Sequence, residues 1–215
     1  DPGFPVTNAA QPFLGGSSDM FISKLSPDGS TLAYSTYFGG FDDDLGTGIA
    51  VDAAGNATVC GWTESDDFPI RHAFQPVLGG KKDAVVAKFD AAGALIFSTY
   101  LGGTGDDVAY RVALDAAGSA YVTGAKSSGE FPSTPGGINR GGVFKSADAG
   151  SLWRTSGAGL THTIVEALAF DPANSSVLYA GTLLGVFRTA DAGAAWEPRN
   201  LGLSNNIVHA LALDP

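Results

Sequence analysis

The chain has 215 residues, 44% of them hydrophobic, a net charge of −10 and one cysteine. That length and apolar content suffice to bury a core, while a single cysteine excludes a disulfide framework within the chain. An acidic chain without a cluster of Lys or Arg is a poor match to nucleic acid, and no apolar run nears the roughly 18 residues of a membrane-spanning helix.

Thirty glycines and eleven prolines are spread along the chain, and 18 of the 22 acids are Asp. Asp hydrogen-bonds nearby backbone in turns, so the acidity reads first as turn chemistry between many short strands. The opening Asp1-Pro-Gly-Phe-Pro5 has neither the basic start nor the apolar stretch of a secretory signal. Four strands follow, over Phe21–Leu25, Leu32–Phe38, Gly48–Val51 and Ala57–Trp62. Pro27-Asp28-Gly29 and Asp52-Ala-Ala-Gly55 mark reversals between them. The Asp-Ala-Ala-Gly turn starts again at Asp90 and at Asp115.

The unit then repeats. Tyr34-Ser-Thr-Tyr-Phe-Gly-Gly40 returns as Phe97-Ser-Thr-Tyr-Leu-Gly-Gly103, and Ile49-Ala-Val-Asp-Ala-Ala-Gly55 as Val112-Ala-Leu-Asp-Ala-Ala-Gly118, both at a shift of 63. Phe68-Pro69 has counterparts in Phe131-Pro132 and Phe4-Pro5. From about residue 142 the period becomes 43: Gly142-Val-Phe-Lys-Ser-Ala-Asp-Ala-Gly150 returns as Gly185-Val-Phe-Arg-Thr-Ala-Asp-Ala-Gly193, and Glu166-Ala-Leu-Ala-Phe-Asp-Pro172 as His209-Ala-Leu-Ala-Leu-Asp-Pro215. The boundary falls in the glycine-rich stretch 136–142, dividing 1–140 from 141–215, the last unit being incomplete. Four short strands per unit of this length is the arithmetic of a β-propeller blade. No window holds a helical apolar stripe free of Gly and Pro. The expected fold is all-β: a propeller-type stack of four-stranded antiparallel blades, part of a longer array with further blades.

The first units resemble the bacterial SBBP (seven-bladed β-propeller) repeat in Lys24-Leu-Ser-Pro-Asp-Gly-Ser-Thr-Leu32, Tyr34–Gly40, Gly46-Thr-Gly-Ile-Ala-Val-Asp52 and Phe68-Pro69. The later ones resemble Asp-box (BNR) repeats, Ser/Thr-x-Asp-x-Gly-x-x-Trp, as Ser146, Asp148, Gly150, Trp153 and as Thr189, Asp191, Gly193, Trp196. Sialidases, xyloglucanase-type glycosidases and sortilin-like receptors carry such boxes away from the catalytic centre, so the resemblance implies structural roles. The turn chemistry agrees: Asp accepts buried backbone N–H groups, Gly takes a positive φ, the hydroxyl closes the network and Trp packs on a neighbouring strand.

Other residues suggest chemistry. Asp42-Asp43-Asp44 aligns with Asp106-Asp107 as a recurring acidic loop, a candidate Ca²⁺ site or a set of solvated turn acids. Trp62 with Glu64 is a candidate sugar platform or an inter-blade filler, and Ala125 replaces Trp62 in the next unit. Cys60, matched by Thr123, reads as a small strand residue without a basic neighbour to activate it. His72, His162 and His209 have no metal-ligand spacing. A glycosidase needs two convergent carboxylates; Glu64 and Glu166 are nameable, but nothing in sequence joins them, and no arginine sits in a Phe-Arg-Ile-Pro motif. No catalytic residue and no cofactor beyond Ca²⁺ is assigned. The expected function is a non-catalytic repeat scaffold or binding module with a protein or glycan partner, secreted or at the cell surface by family resemblance. The alternative is a carbohydrate-active propeller, lectin or glycosidase.

Overall fold

The structure, a computed structural model, describes residues 3–127, 130–131, 142–148, 150–160, 164–204 and 207–213. The 140/141 boundary, Pro132, His162 and Pro215 lie outside them. The strands fall into four sheets. β1 (Met20–Leu25) pairs with β2 (Leu32–Phe38). β3 (Asp44–Val51), β4 (Ala57–Thr63), β5 (Asp83–Phe89) and β6 (Leu95–Leu101) form a four-stranded sheet in chain order. A second consists of β7 (Asp107–Leu114), β8 (Ala120–Lys126), β9 (Gly142–Ser146) and β10 (Arg154–Thr155). The third consists of β11 (Val165–Asp171), β12 (Asn174–Thr182), β13 (Gly185–Thr189) and β14 (Glu197–Pro198). All neighbours are antiparallel.

Two expectations need correction. The four strands read as one unit, β1 to β4, do not share a sheet: β3 and β4 join β5 and β6, so sheet and sequence repeat are out of step by two strands. Connection length does not decide this, since the link 39–43 between the sheets is as short as the turns 52–56 and 90–94, and the longer 64–82 joins β4 to β5 within one sheet. The chain instead changes sheet at Gly39-Gly40, where a Cβ would collide with Asp19, Asp44 and Ser65. The strands on either side of the change of period share one sheet, β8 pairing directly with β9, Tyr121 opposite Lys145 and Thr123 opposite Val143. β3 also begins four residues earlier than expected, since Asp44–Gly46 pairs with Gly61–Thr63 beyond a bulge at Thr47 that hides the alternation.

Three apolar layers lie between successive sheets. Met20, Tyr34, Phe38, Phe68 and Phe89 fill the first; Val86, Phe97, Val122, Phe144 and Trp153 the second; Tyr121, Val143, Leu178, Phe187 and Trp196 the third. β5 feeds two of them, Val85 and Phe89 on one face and Ala84 and Val86 on the other. A strand buried on both faces reads as a continuous apolar run.

The turns behave as their residues dictate. In the three Asp-Ala-Ala-Gly turns the carboxylate Oδ1 accepts two backbone N–H groups, those of Ala54 and Asn56 on Asp52, Ala92 and Ala94 on Asp90, and Ala117 and Ser119 on Asp115. The closing glycine is left-handed each time, as at Gly55 with φ 84°.

Candidate functional site

The first strand of each four-stranded sheet breaks register at the same place, between Gly46 and Gly48, Ala109 and Arg111, and Val165 and Ala167. A bulge leaves one residue unpaired and re-aims its side chain. The bulged residues are Thr47, Tyr110 and Glu166, and His209 stands where the 43-residue repeat places the next one.

These residues lace successive first strands. Thr47 Oγ1 donates to Ala109 O at 2.6 Å, and Arg111 Nη1 donates to Thr47 O at 3.1 Å and to Tyr110 O at 2.8 Å. Glu166 Oε2 meets the Nδ1 of His209. Between β7 and β11 the lacing leaves a cleft of about 220 Å³ lined by Tyr110, Arg111, Ile164 and Glu166. Arg111 is exposed and has no carboxylate within ion-pair distance among the described residues. A guanidinium, a phenol and a carboxylate that His209 engages thus line one small opening. Sequence comparison aligned Glu166 with His209 but missed the column, because a bulge has no residue signature; four unlike polar residues at one repeat position were the available signal.

The residues singled out in sequence lie elsewhere. Trp62 and Glu64 do come together, but around a lysine: Lys82 Nζ sits 3.8 Å from the Trp62 ring centroid and 3.1 Å from Glu64 Oε1. Lys82 therefore covers a ring face that a sugar would need. Glu64 does not line the cleft beside Glu166. Cys60 is buried, and burial pushes its thiol up to about 12. His72 is exposed, its Nδ1 3.3 Å from Ile96 O.

The acidic loops split in two. Asp42, Asp43 and Asp106 are exposed, whereas Asp44 and Asp107 are fully buried. Asp44 accepts the Gly40 N–H at 2.7 Å, the Ser65 hydroxyl at 3.0 Å and the Thr63 hydroxyl; Asp107 accepts the Gly103 N–H at 2.7 Å. A companion network went unnoticed in sequence. Asp83 accepts the Gly79 N–H and the Gln75 amide, and Gln75 Oε1 accepts the Gly102 N–H. Gln11, Asp19, Gly15 and Gly39 repeat that arrangement. The signal was present, since Gln11 and Asp19 recur at a shift of 64. Burial raises Asp44 and Asp83 above the ordinary carboxylate range, against the hydrogen bonds they accept.

In the turns at 146–153 and 189–196, the hydroxyl is the inner acceptor. Ser146 Oγ receives the Gly150 N–H at 2.9 Å and Thr189 Oγ1 the Gly193 N–H at 3.1 Å. Each hydroxyl donates onward to its Asp, at 2.9 Å to Asp148 and 2.6 Å to Asp191. The carboxylates themselves are exposed, accepting the N–H of Leu152 and of Ala195. This corrects the expectation that Asp takes the buried donor: the smaller hydroxyl reaches inward and the carboxylate braces it from the solvent side. The Thr189 hydroxyl and the Ala195 N–H hold the Asp191 carboxyl below its usual range.

A family model described as a β-propeller repeat, SBBP, matches residues 33–69 and 96–129. No curated protein matches the chain. Among solved structures, a GH74 enzyme of Niastella koreensis is similar, at 16% identity and a TM-score of 0.41 over 84% of this chain and 34% of that one. The chain thus spans about a third of that enzyme's length. The described residues form antiparallel sheets, three of them four-stranded, and residues 33–69 and 96–129 are similar to the β-propeller repeat of the SBBP family model.

Proposed function

We propose that the chain is a non-catalytic binding scaffold, secreted or at the cell surface, whose recognition surface is the column of bulged residues on the first strands. One observation carries this reading: the same bulge recurs in three sheets, yet it presents Thr47, Tyr110 and Glu166 in turn. A constant frame displaying unlike polar side chains suits recognition more than packing. The acids that could otherwise serve catalysis have other partners: Glu64 pairs with Lys82, Glu166 with His209, and Asp44, Asp83 and Asp107 accept backbone N–H groups.

In this reading residues 141–215 are Asp-box blades that share one frame with the SBBP-like blades of 1–140. Lys145, in the later repeat, stands 3.9 Å from Asp115 as Lys88 stands 2.9 Å from Asp52 in the earlier one, each against the same turn. The test is a screen of the purified chain on a glycan array and on chromogenic glycosides. Binding without turnover is the expected result. Turnover abolished by Glu166→Gln would replace the scaffold with a glycosidase.

A further inference from the structure

We infer that the cleft between β7 and β11 binds a carboxylate-bearing sugar, a uronate residue, with Arg111 as its anion anchor. The inference rests on the scaffold reading of the bulge column and names what that column takes.

Charge is the first argument. The chain carries 22 acids against 12 bases. Lys82, Lys88, Lys145 and Arg199 pair with carboxylates. Arg111, like Lys24, Lys81, Arg71, Arg154 and Arg188, makes no such pair among the described residues; what sets it apart is its place beside Glu166 in one cleft, where Glu166 is engaged by His209 instead. Arg111 donates from Nη1 to the carbonyls of Thr47 and Tyr110, which fix the side chain without neutralising it. A guanidinium has five N–H donors in a planar fork that matches a carboxylate bidentately. A positioned guanidinium at the edge of a cleft, without a carboxylate partner among the described residues, can take an anion.

The remaining lining sets the rest of the ligand. Tyr110 supplies a ring and a phenol, Ile164 an apolar wall, and Glu166 an acceptor carboxylate whose other partner is the His209 imidazole. Vicinal hydroxyls suit an acid–imidazole pair, and the C–H face of a pyranose suits an aromatic ring. A volume of about 220 Å³ accommodates one such residue. A peptide carboxylate would satisfy Arg111 but leave the Glu166–His209 pair without a hydroxyl partner.

Titration of the whole chain with glucuronate, glucose and N-acetylalanine, followed by ligand-observed NMR and calorimetry, tests this. With so few contacts the dissociation constant falls near the millimolar range, so probes at about 10 mM are needed. Glucuronate should bind, while glucose, the same ring without the carboxylate, should bind at least about tenfold more weakly. Arg111→Met should abolish glucuronate binding and Arg71→Met should not, both variants melting near the parent temperature. Should Arg111→Met fail to fold, Glu166→Gln and His209→Gln carry the test, each weakening glucuronate severalfold. Equal binding of N-acetylalanine, or no binding of glucuronate, overturns the inference. Absence of binding leaves the scaffold reading standing, whereas release of nitrophenol from p-nitrophenyl glucuronide overturns that reading and keeps the site.

Discussion

Gly150 lies flat against the ring of Phe97: a methyl added there would stand 2.5 Å from Phe97 Cε2. Phe97 belongs to β6 in one sheet and Gly150 to the turn after β9 in the next, so the turn apex docks one blade onto its predecessor. Trp153, from the same turn, is buried in the same apolar layer. Gly193 repeats the arrangement one blade later, beside Ser156 and the Tyr121 ring, with Trp196 Nε1 donating to Ser156 O at 2.6 Å. The sequence motif is therefore an inter-blade joint as well as a turn.

Gly150→Ala should destabilise the chain for two reasons. Its φ of 85° is left-handed, which costs an L-residue about 1–2 kcal/mol, and its methyl meets an aromatic ring. Phe97→Leu should relieve the second cost only. A double-mutant cycle by denaturant melting should give a coupling of at least about 0.5 kcal/mol. A coupling of zero would mean that Phe97 moves freely and the joint is not tight.

Ser146→Ala should cost more stability than Asp148→Ala. The Ser146 hydroxyl is buried and takes the Gly150 N–H, so its loss orphans a buried donor at about 1–3 kcal/mol. The Leu152 N–H left by Asp148 is exposed and regains water. Thr189→Val and Asp191→Ala should rank the same way. Proteolysis should report the loss first within 142–213, because repeat proteins melt by neighbouring units. The reverse ranking would restore the carboxylate as the central staple.

Tyr100→Phe tests the strap that leads from β4 back to β5. Tyr100 Oη accepts the Phe68 N–H at 3.1 Å and donates to Ser65 O at 2.8 Å, all three residues being buried. Phe68 also packs edge-on against Phe38, 4.9 Å between centroids. Removing one hydroxyl leaves a donor and an acceptor unmet, costing about 1–3 kcal/mol. A melting curve unchanged by Tyr100→Phe would mean that water replaces the hydroxyl.

The local grammar was legible where one residue type decides the outcome. Asp-Ala-Ala-Gly gave its turn three times, and Phe68-Pro69 proved to anchor the strap. What sequence could not show was which strands share a sheet. A repeat of 63 has the same period wherever it is cut; the chain changes sheet at the short Gly-Gly links 39–43 and 102–106, while the long strap between β4 and β5 stays within one sheet, so loop length gives no guide. The candidate site stayed hidden for a different reason. Thr47, Tyr110 and Glu166 are unlike in chemistry and alike only in backbone geometry.

Millimolar Ca²⁺ should leave the melting temperature unchanged. In the acidic loops Asp44 and Asp107 already accept backbone N–H groups, which leaves Asp42, Asp43 and Asp106 on the surface. A ligand that binds the folded state raises stability by mass action. A rise in melting temperature with Ca²⁺ that Asp43→Asn removes would establish the metal site instead.

Asp44 gives the stability of the fold a pH dependence of defined sign. Burial raises its folded pKa above the ordinary carboxyl value of 3.8, even though Thr63, Gly40 and Ser65 hydrogen-bond the carboxylate. A raised carboxyl binds its proton more tightly folded than unfolded. Its contribution is fully present below about pH 3.8 and is lost as pH rises through the folded pKa. Asp83 acts in the same direction. Asp52, lowered by Lys88 and Asn56, acts in the opposite one, contributing above pH 3.8 and losing that contribution on acidification. Comparing a variant with its parent cancels Asp52 and Asp83. Asp44→Asn supplies an uncharged amide that imitates the protonated acid at every pH. The variant should therefore be weaker than its parent at pH 4, because an amide cannot reproduce every bond the carboxyl makes, and the deficit should narrow toward pH 7 as the parent acquires a buried charge. Denaturant melts of both proteins at half-unit steps from pH 4 to 7 measure the gap. A gap that widens with pH would show that the three hydrogen bonds outweigh desolvation and that Asp44 is held as a stabilising carboxylate.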